Sequence, residues 1–315
     1  MTATAPARTG PTRATVPSRP ALRIGTLSLV WRPRAVFLCL ALVAATFLLL
    51  CVGLGRGDYP LSVPQVASVL AGGGEQLDRF IVLELRLPRG LAAVLVGAAL
   101  AVAGALTQTV SRNPLASPDI LGVTAGASAA AVALIVAAGS GTLAGVLGAL
   151  GLPLAALCGA LCTAAAVYVL AWRGGVEGFR LVLIGIGANA LFVALTNWML
   201  VSADINDVSQ AQVWLTGSLN GAGWSQVVPT AVALAVLTGW LATAAFTMGA
   251  LRLGDETARS LGVRLQTQRA VLLLSACALV GVATAAAGPI GFVALAAPQI
   301  ALRLVRSPGP PLIAS

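Results

Sequence analysis

Residues 35–54 read AVFLCLALVAATFLLLCVGL, a run of 20 residues without a charged side chain. A helix needs about 20 mostly apolar residues to cross the hydrocarbon core of a bilayer. The run is too long for the apolar region of a signal peptide, and no well-placed small-residue cleavage site follows it. We therefore interpret it as a first transmembrane helix.

Seven more apolar segments follow this run. They cover about residues 90–110, 119–138, 151–172, 180–201, 226–250 and 269–287, with a shorter one at about 289–305. At 58% hydrophobic and 9% charged residues, the chain has too much apolar surface for a soluble globule. The segments predict an all-α polytopic membrane protein, a bundle of eight spans. The Gly-rich stretch 141–152 could be a loop, a short re-entrant segment or an early start of the fourth helix.

The basic residues indicate how the bundle is oriented. All 19 are Arg, and they flank the apolar runs instead of forming one patch, which argues against nucleic-acid binding. Residues 1–34 carry Ala, Thr, Pro and Arg but no acidic group, and predict a disordered basic cytoplasmic tail. With that tail inside, only Arg56, Arg79, Arg86 and Arg89 lie outside, as the positive-inside rule favours.

The residue types present exclude most enzymes. The chain has no Lys, so it has no P-loop ATPase site and any ATP drive must come from a partner. It also has no His and no carboxylate pair within an apolar run, which removes the usual catalytic and metal-binding groups. The five cysteines form no CxxC pair and are interpreted as packing residues, with a functional Cys158–Cys162 pair as the less favoured alternative. We predict no enzymatic activity, no cofactor and no resident metal.

The fifth apolar run contains polar residues at helical spacing. Asn189, Thr196 and Asn197 share one face of the fifth helix, where they could line a translocation path or bond neighbouring helices.

Segment 253–263 begins with acidic residues and ends with Gly, which is typical of a short capped helix. Leu253, Ala258 and Leu261 would give this helix a small apolar face. Such a helix suits docking against a cytoplasmic partner, although a solvated loop helix has similar spacing. All ten acidic residues map to loops or helix ends, which argues against an ion-coupled carrier.

A weak internal repeat relates two parts of the chain. Asn113-Pro114 and then Leu121-Gly122-Val123 follow the second helix, and Gly288-Pro289 and then Gly291-Phe292-Val293 follow the seventh. Transporters are often built from duplicated bundles.

Five separated motifs then identify a family. They are Leu85-Arg86-Leu87-Pro88-Arg89, Arg112-Asn113-Pro114-Leu115-Ala116-Ser117-Pro118-Asp119-Ile120-Leu121-Gly122-Val123, Trp214-Leu215-Thr216-Gly217-Ser218-Leu219, Leu253-Gly254-Asp255-Glu256-Thr257-Ala258-Arg259-Ser260-Leu261-Gly262-Val263 and Ala287-Gly288-Pro289-Ile290-Gly291-Phe292-Val293. In this order, over about residues 35–315, the chain resembles the FecCD-type permeases. These are the membrane subunits of type II ATP-binding cassette (ABC) importers for siderophores, haem and cobalamin. Ala297-Pro298-Gln299 is similar to the ferric enterobactin-type members.

The resemblance implies partners and sites. The expected partners are a second permease subunit, identical or related, two cytoplasmic ATPase subunits, and an extracytoplasmic substrate-binding lipoprotein or periplasmic protein. Arg86 and Arg89 match positions that hold acidic residues of the binding protein, with anchoring to lipid phosphates as the alternative. Asn113 and Leu115 match a cytoplasmic gate. Gly178 and Phe179 align with its second layer. The residues that match the ATPase coupling helix are Leu253, Gly254, Asp255, Glu256, Ala258, Arg259, Leu261 and Gly262.

The resulting hypothesis is a multi-pass permease of the bacterial cytoplasmic membrane that imports ferric-siderophore complexes by alternating access. A haem or cobalamin permease and an ion-coupled secondary transporter are the alternatives. Members of the resembled family have ten spans and this sequence has eight, so we expect the two last helices to be missing by truncation, or the chain to be an inert relic.

Overall fold

The computed structural model describes residues 21–24, 27–30, 33–139, 151–173, 175, 178–252 and 255–305. Strands β1 (Ala21–Ile24) and β2 (Leu27–Val30) pair antiparallel, with Ala21 opposite Val30. These two segments depart from the predicted disorder of residues 1–34, because Leu, Ile and Val give them a strand-forming composition that the Pro-rich tail lacks as a whole. Residues 1–20 and 140–150, including most of stretch 141–152, lie outside the described part.

Helices make up nearly all of the described chain. They are α1 (Pro33–Gly55), α2 (Val63–Leu70), α3 (Gln76–Arg79), α4 (Leu87–Ser111), α5 (Val123–Gly139), α6 (Gly151–Ala171), α7 (Gly178–Val201), α8 (Ile205–Leu215), α9 (Trp224–Thr243), α10 (Ala245–Arg252), α11 (Asp255–Ser260), α12 (Leu265–Ala287) and α13 (Val293–Val305). A π-helical segment, Phe80–Arg86, joins α3 to α4, and a short 3-10 helix, Pro118–Leu121, precedes α5.

The helices confirm the predicted membrane bundle. Within the described ranges, six helical stretches are long and apolar enough to span a bilayer, namely Arg34–Gly55, Gln76–Ser111, Gly151–Ala171, Gly178–Val201, Trp224–Thr243 and Leu265–Ala287. The apolar helices α5 and α13 coincide with the other two predicted segments but are shorter than a full span. All eight apolar runs are therefore helical.

The second span begins earlier than the sequence predicts. Helical structure is continuous from Gln76 to Ser111, so Arg86 and Arg89 lie within the helix instead of preceding it. Pro88 normally disrupts a helix because it lacks an N–H and crowds the carbonyl four residues earlier. Here the wider π-helical turns, in which Leu87 N–H bonds to the Val82 carbonyl, precede the proline and accommodate it.

Helices α4 and α12 form the centre of the bundle. They pack against each other, and α12 also contacts α6, α9 and α5, while α13 packs on α4. Gly104 permits that last contact, since a side chain at this position would overlap the backbone carbonyl of Ala294. Small residues that let helix backbones approach are the usual basis of packing in membranes.

Both loops of the internal repeat lie against helices inside the bundle. Around Gly122, the loop before α5 contacts the backbone of Gly185 and Asn189, which is near the middle of α7. Gly288, in the loop before α13, lies against the Trp214 carbonyl at the end of α8. Irregular backbone at membrane depth is tolerated when protein surrounds it. Each loop thus takes up the start of an apolar run, and the helix that follows begins only at Val123 or Val293.

Candidate functional site

A cavity of about 550 Å³ opens beside α7. It is lined by Asp119, Thr124, Ala125, Ser128, Asn189, Val193, Thr196, Asn197, Leu215, Pro289, Gly291 and Phe292. The three polar residues that the sequence places on one face of α7 therefore share a cavity wall. Thr196 is buried and its hydroxyl donates to the Phe192 carbonyl at 2.8 Å, whereas the amides of Asn189 and Asn197 are exposed.

Asp119 is the acidic residue of this cavity, and the sequence analysis did not select it. It belongs to the short 3-10 helix in the connection between α4 and α5. This connection borders the cavity, although it lies outside the long helices. The Thr124 hydroxyl donates to its carboxylate at 2.6 Å and the Ser117 hydroxyl donates at 3.1 Å. Two hydroxyl donors partly compensate the carboxylate charge. The Ser-x-Asp spacing just before a helix is the sequence signal that could have identified this hydrogen-bonded turn.

A larger cavity of about 640 Å³ lies between α5, α6, α8 and α12. Its lining includes Leu134 and Leu152 together with polar side chains such as Gln210 and Asn220, and it contains none of the polar residues of α7. Ala138 and Leu152 in this lining lie on either side of segment 140–150. The smaller cavity is the candidate path because it contains all three polar residues of α7.

Arg86 connects two helices at the end of the bundle opposite the predicted gate. Its guanidinium donates to the Leu54 carbonyl in the last turn of α1 at 2.8 Å and to the Tyr59 carbonyl in the following loop. The last carbonyls of a helix have no partner within it, and a cation there also complements the helix dipole. Arg86 thus links the π-helical segment before α4 to the end of α1.

Arg89 is more exposed than Arg86 and has a different partner. Its guanidinium contacts Oδ1 of Asn220, in the loop between α8 and α9. The two arginines that the sequence treats as one docking pair are therefore held by different elements. The guanidinium of Arg89 is more accessible to an acidic partner than that of Arg86.

The predicted gate residues lie at the opposite end of α4. Asn113 Oδ1 accepts from the Leu115 N–H at 2.9 Å, a local turn that leaves the Leu115 side chain 69% exposed. Phe179, near the start of α7, is 79% exposed. Gly178 and the last residues of α4 line one cavity of about 220 Å³, but Asn113, Leu115 and Phe179 are not in its lining.

The predicted coupling helix is present as α11, Asp255–Ser260. Leu253 and Gly254 lie outside the described residues, and Glu256, Arg259 and Leu261 are exposed. Gly262 ends the helix in the left-handed conformation, with φ +81°, as the sequence predicts.

Ala258 departs from the predicted apolar docking face of this helix. Its side chain is 0% exposed and belongs to the main core of the bundle. Of the described residues predicted for the apolar face, only Leu261 is exposed. The buried Ala258 ties α11 to the bundle instead.

The fold is that of a polytopic membrane protein with a cavity beside α7 and the short helix α11 at one end. Comparison with known proteins makes this more specific. The FecCD transport family matches residues 42–315, and the chain belongs to this family. The predicted resemblance is thereby confirmed.

Individual relatives agree with the family. The ferric enterobactin transport system permease protein FepG of Escherichia coli (strain K12) is 39% identical over 271 residues, 86% of this chain and 80% of the relative. The achromobactin transport system permease protein CbrC of Dickeya dadantii (strain 3937) is 46% identical over 274 residues, 87% and 76% of the two chains. A solved structure of a metal-chelate type ABC transporter in an inward-facing conformation aligns with a TM-score of 0.76 and 27% identity, covering 86% of this chain and 82% of the other.

Proposed function

We propose that this permease imports ferric-siderophore complexes across the bacterial cytoplasmic membrane as one membrane subunit of an ABC importer. The cavity that contains the three polar residues of α7 is the observation that carries this proposal. The relatives named for ferric enterobactin and achromobactin transport support the same class of cargo. The chain performs no covalent chemistry, and a partner subunit hydrolyses ATP.

The cavity suits a bulky chelate that must pass without being trapped. Asn189 and Asn197 provide amide donors and acceptors, while Val193 and Phe292 provide apolar walls. Few polar groups on a mostly apolar wall bind a large ligand weakly, as conduction requires. Helix α7, which forms one wall of the cavity, is one of the least buried of the six long helices, and a second permease subunit packed there would complete the path.

Alternating access follows from the two ends of this path. A substrate-binding protein docks outside, with the exposed Arg89 as its main contact and Arg86 holding the neighbouring α1 in place. ATP-driven closure of the ATPase subunits moves α11, and the gate around Asn113 and Leu115 opens to the cytoplasm. The N-terminus is cytoplasmic in this arrangement, which leaves 15 of the 19 Arg inside.

Reconstitution tests the proposal directly. The tagged chain is co-expressed with its candidate ATPase, second permease and binding-protein partners, and the purified complex is placed in proteoliposomes. Uptake of ⁵⁵Fe bound to a catecholate siderophore should require ATP and the binding protein. It should stop when the P-loop Lys of the ATPase is replaced, a control that leaves the permease unchanged.

Other outcomes identify the alternatives. Uptake of haem or cobalamin in preference to ferric chelates would support an ABC importer with a different cargo. Uptake driven by an ion gradient without an ATPase would identify a secondary carrier, with Asp119 as the acidic group at its cavity. Failure to co-purify any ATPase would contradict the proposal and favour an inert relic.

A further inference from the structure

Arg112 ends α4 in an unusual conformation. It is the residue at the C-cap and has φ +48° and ψ +31°, which is the left-handed region. Glycine is the common residue at such positions because a side chain is strained there. A long cationic side chain in this conformation therefore points to a contact that holds it.

The contact is with the helix that leads to α11. The Arg112 guanidinium donates to the Leu251 carbonyl at 3.0 Å. Leu251 lies in α10, which the structure describes as far as Arg252. A hydrogen bond with an ionised donor is stronger than one between neutral groups, so this contact is well suited to hold the two segments together.

The same residue adjoins the predicted gate. Asn113, the next residue, accepts the Leu115 N–H and so shapes the loop after α4. On the other side, α10 packs against α11, whose Ala258 is fully buried. A displacement of α11 thus moves the Leu251 carbonyl, and Arg112 connects that carbonyl to the first residue of the gate loop.

We propose that Arg112 is a positioning residue that transmits movement of the coupling helix to the cytoplasmic gate. This inference rests on the proposed function, because it requires an ATPase that acts on α11. It assigns Arg112 a role in coupling ATP hydrolysis to opening, without contact with the cargo.

Three substitutions at this position separate the side-chain contact from the backbone strain. Arg112→Ala removes the guanidinium. Arg112→Gly removes it as well but also relieves the left-handed strain. Arg112→Lys keeps a cationic donor. Arg303→Ala, at an exposed Arg in the last turn of α13, is the matched control for loss of a cytoplasmic charge.

The measurement is the number of chelates imported per ATP hydrolysed by the reconstituted complex. In Arg112→Ala this ratio should fall about tenfold while ATP hydrolysis stays within about twofold of wild type. Arg112→Gly should behave like Arg112→Ala, Arg112→Lys should recover part of the ratio, and Arg303→Ala should match wild type.

Three results would overturn the inference. An unchanged ratio in Arg112→Ala would show that the contact transmits nothing. A normal ratio in Arg112→Gly would show that backbone conformation alone matters. Loss of ATPase co-purification in Arg112→Ala would assign the residue to assembly. If wild-type complex shows no ATP-driven uptake, the proposed function itself is wrong, and the inference about Arg112 falls with it.

Discussion

Replacing Arg86 by Ala should destabilise the fold before it affects recognition of any partner. The guanidinium satisfies the Leu54 carbonyl at the end of α1 and the Tyr59 carbonyl beyond it. The part-buried bond to Leu54 contributes about 1.5–3 kcal/mol, and the exposed bond to Tyr59 less than about 1 kcal/mol. We therefore expect Arg86→Ala to lower the free energy of unfolding by about 2–3 kcal/mol.

Thermal unfolding of the purified permease, followed by the helical circular dichroism signal, measures this effect. Arg89→Ala is the matched control, because it removes one exposed contact, to Asn220, and should cost less than about 1 kcal/mol. Arg86→Lys should be intermediate, since an ammonium cannot reproduce the fork that reaches two carbonyls.

The opposite pattern would refute this reasoning. If Arg86→Ala melts like wild type but no longer binds the substrate-binding protein, its carbonyl contacts are unimportant and it is a docking residue. A charge reversal at Arg86 and Arg89 together would mix the two effects, so the single substitutions are required.

Other predictions address packing, the path and the ATPase contact. Gly104→Ala should lower the free energy of unfolding by about 1–3 kcal/mol, because the added methyl group pushes α13 away from α4. At Gly97 nothing lies within 4 Å of an added side chain, so Gly97→Ala should leave the melting midpoint unchanged. Equal midpoints for the two variants would contradict the packing argument. Leu at both Asn189 and Asn197 should reduce chelate uptake without altering assembly, and normal uptake would remove them from the path. Leu261→Ala should weaken ATPase co-purification at unchanged stability, since this side chain is half exposed; unaltered co-purification would place the ATPase contact elsewhere.

Much of the architecture could be predicted because membrane spans are long apolar runs. Every predicted run is a helix, and the family motifs lead to the correct family. The start of the second span was missed because Pro88 is normally a helix boundary, and only the preceding π-helical segment lets the helix continue.

The site was harder to predict because its contacts join distant parts of the chain. Asp119 is one of ten acidic residues in loops, and its place at the cavity depends on how the loop before α5 packs against α7. Arg86 donates to the Leu54 carbonyl at the end of α1, which is 32 residues away in the sequence. No local sequence pattern indicates this contact. Likewise, helical spacing alone could not show that Ala258 faces the bundle.

The irregular loops before α5 and α13 also constrain biosynthesis. Each of these helices begins only after such a loop, at Val123 or Val293, and the backbone groups of an irregular loop are costly to expose to lipid. Neither should leave the translocon as an autonomous segment. Each must instead be covered by the helices on which it packs. For α5 these are α6 and α7, which are synthesised after it, and for α13 the main one is α4. The order of synthesis then matters, because α13 packs on α4, and α4 must already be in place when α13 enters the membrane.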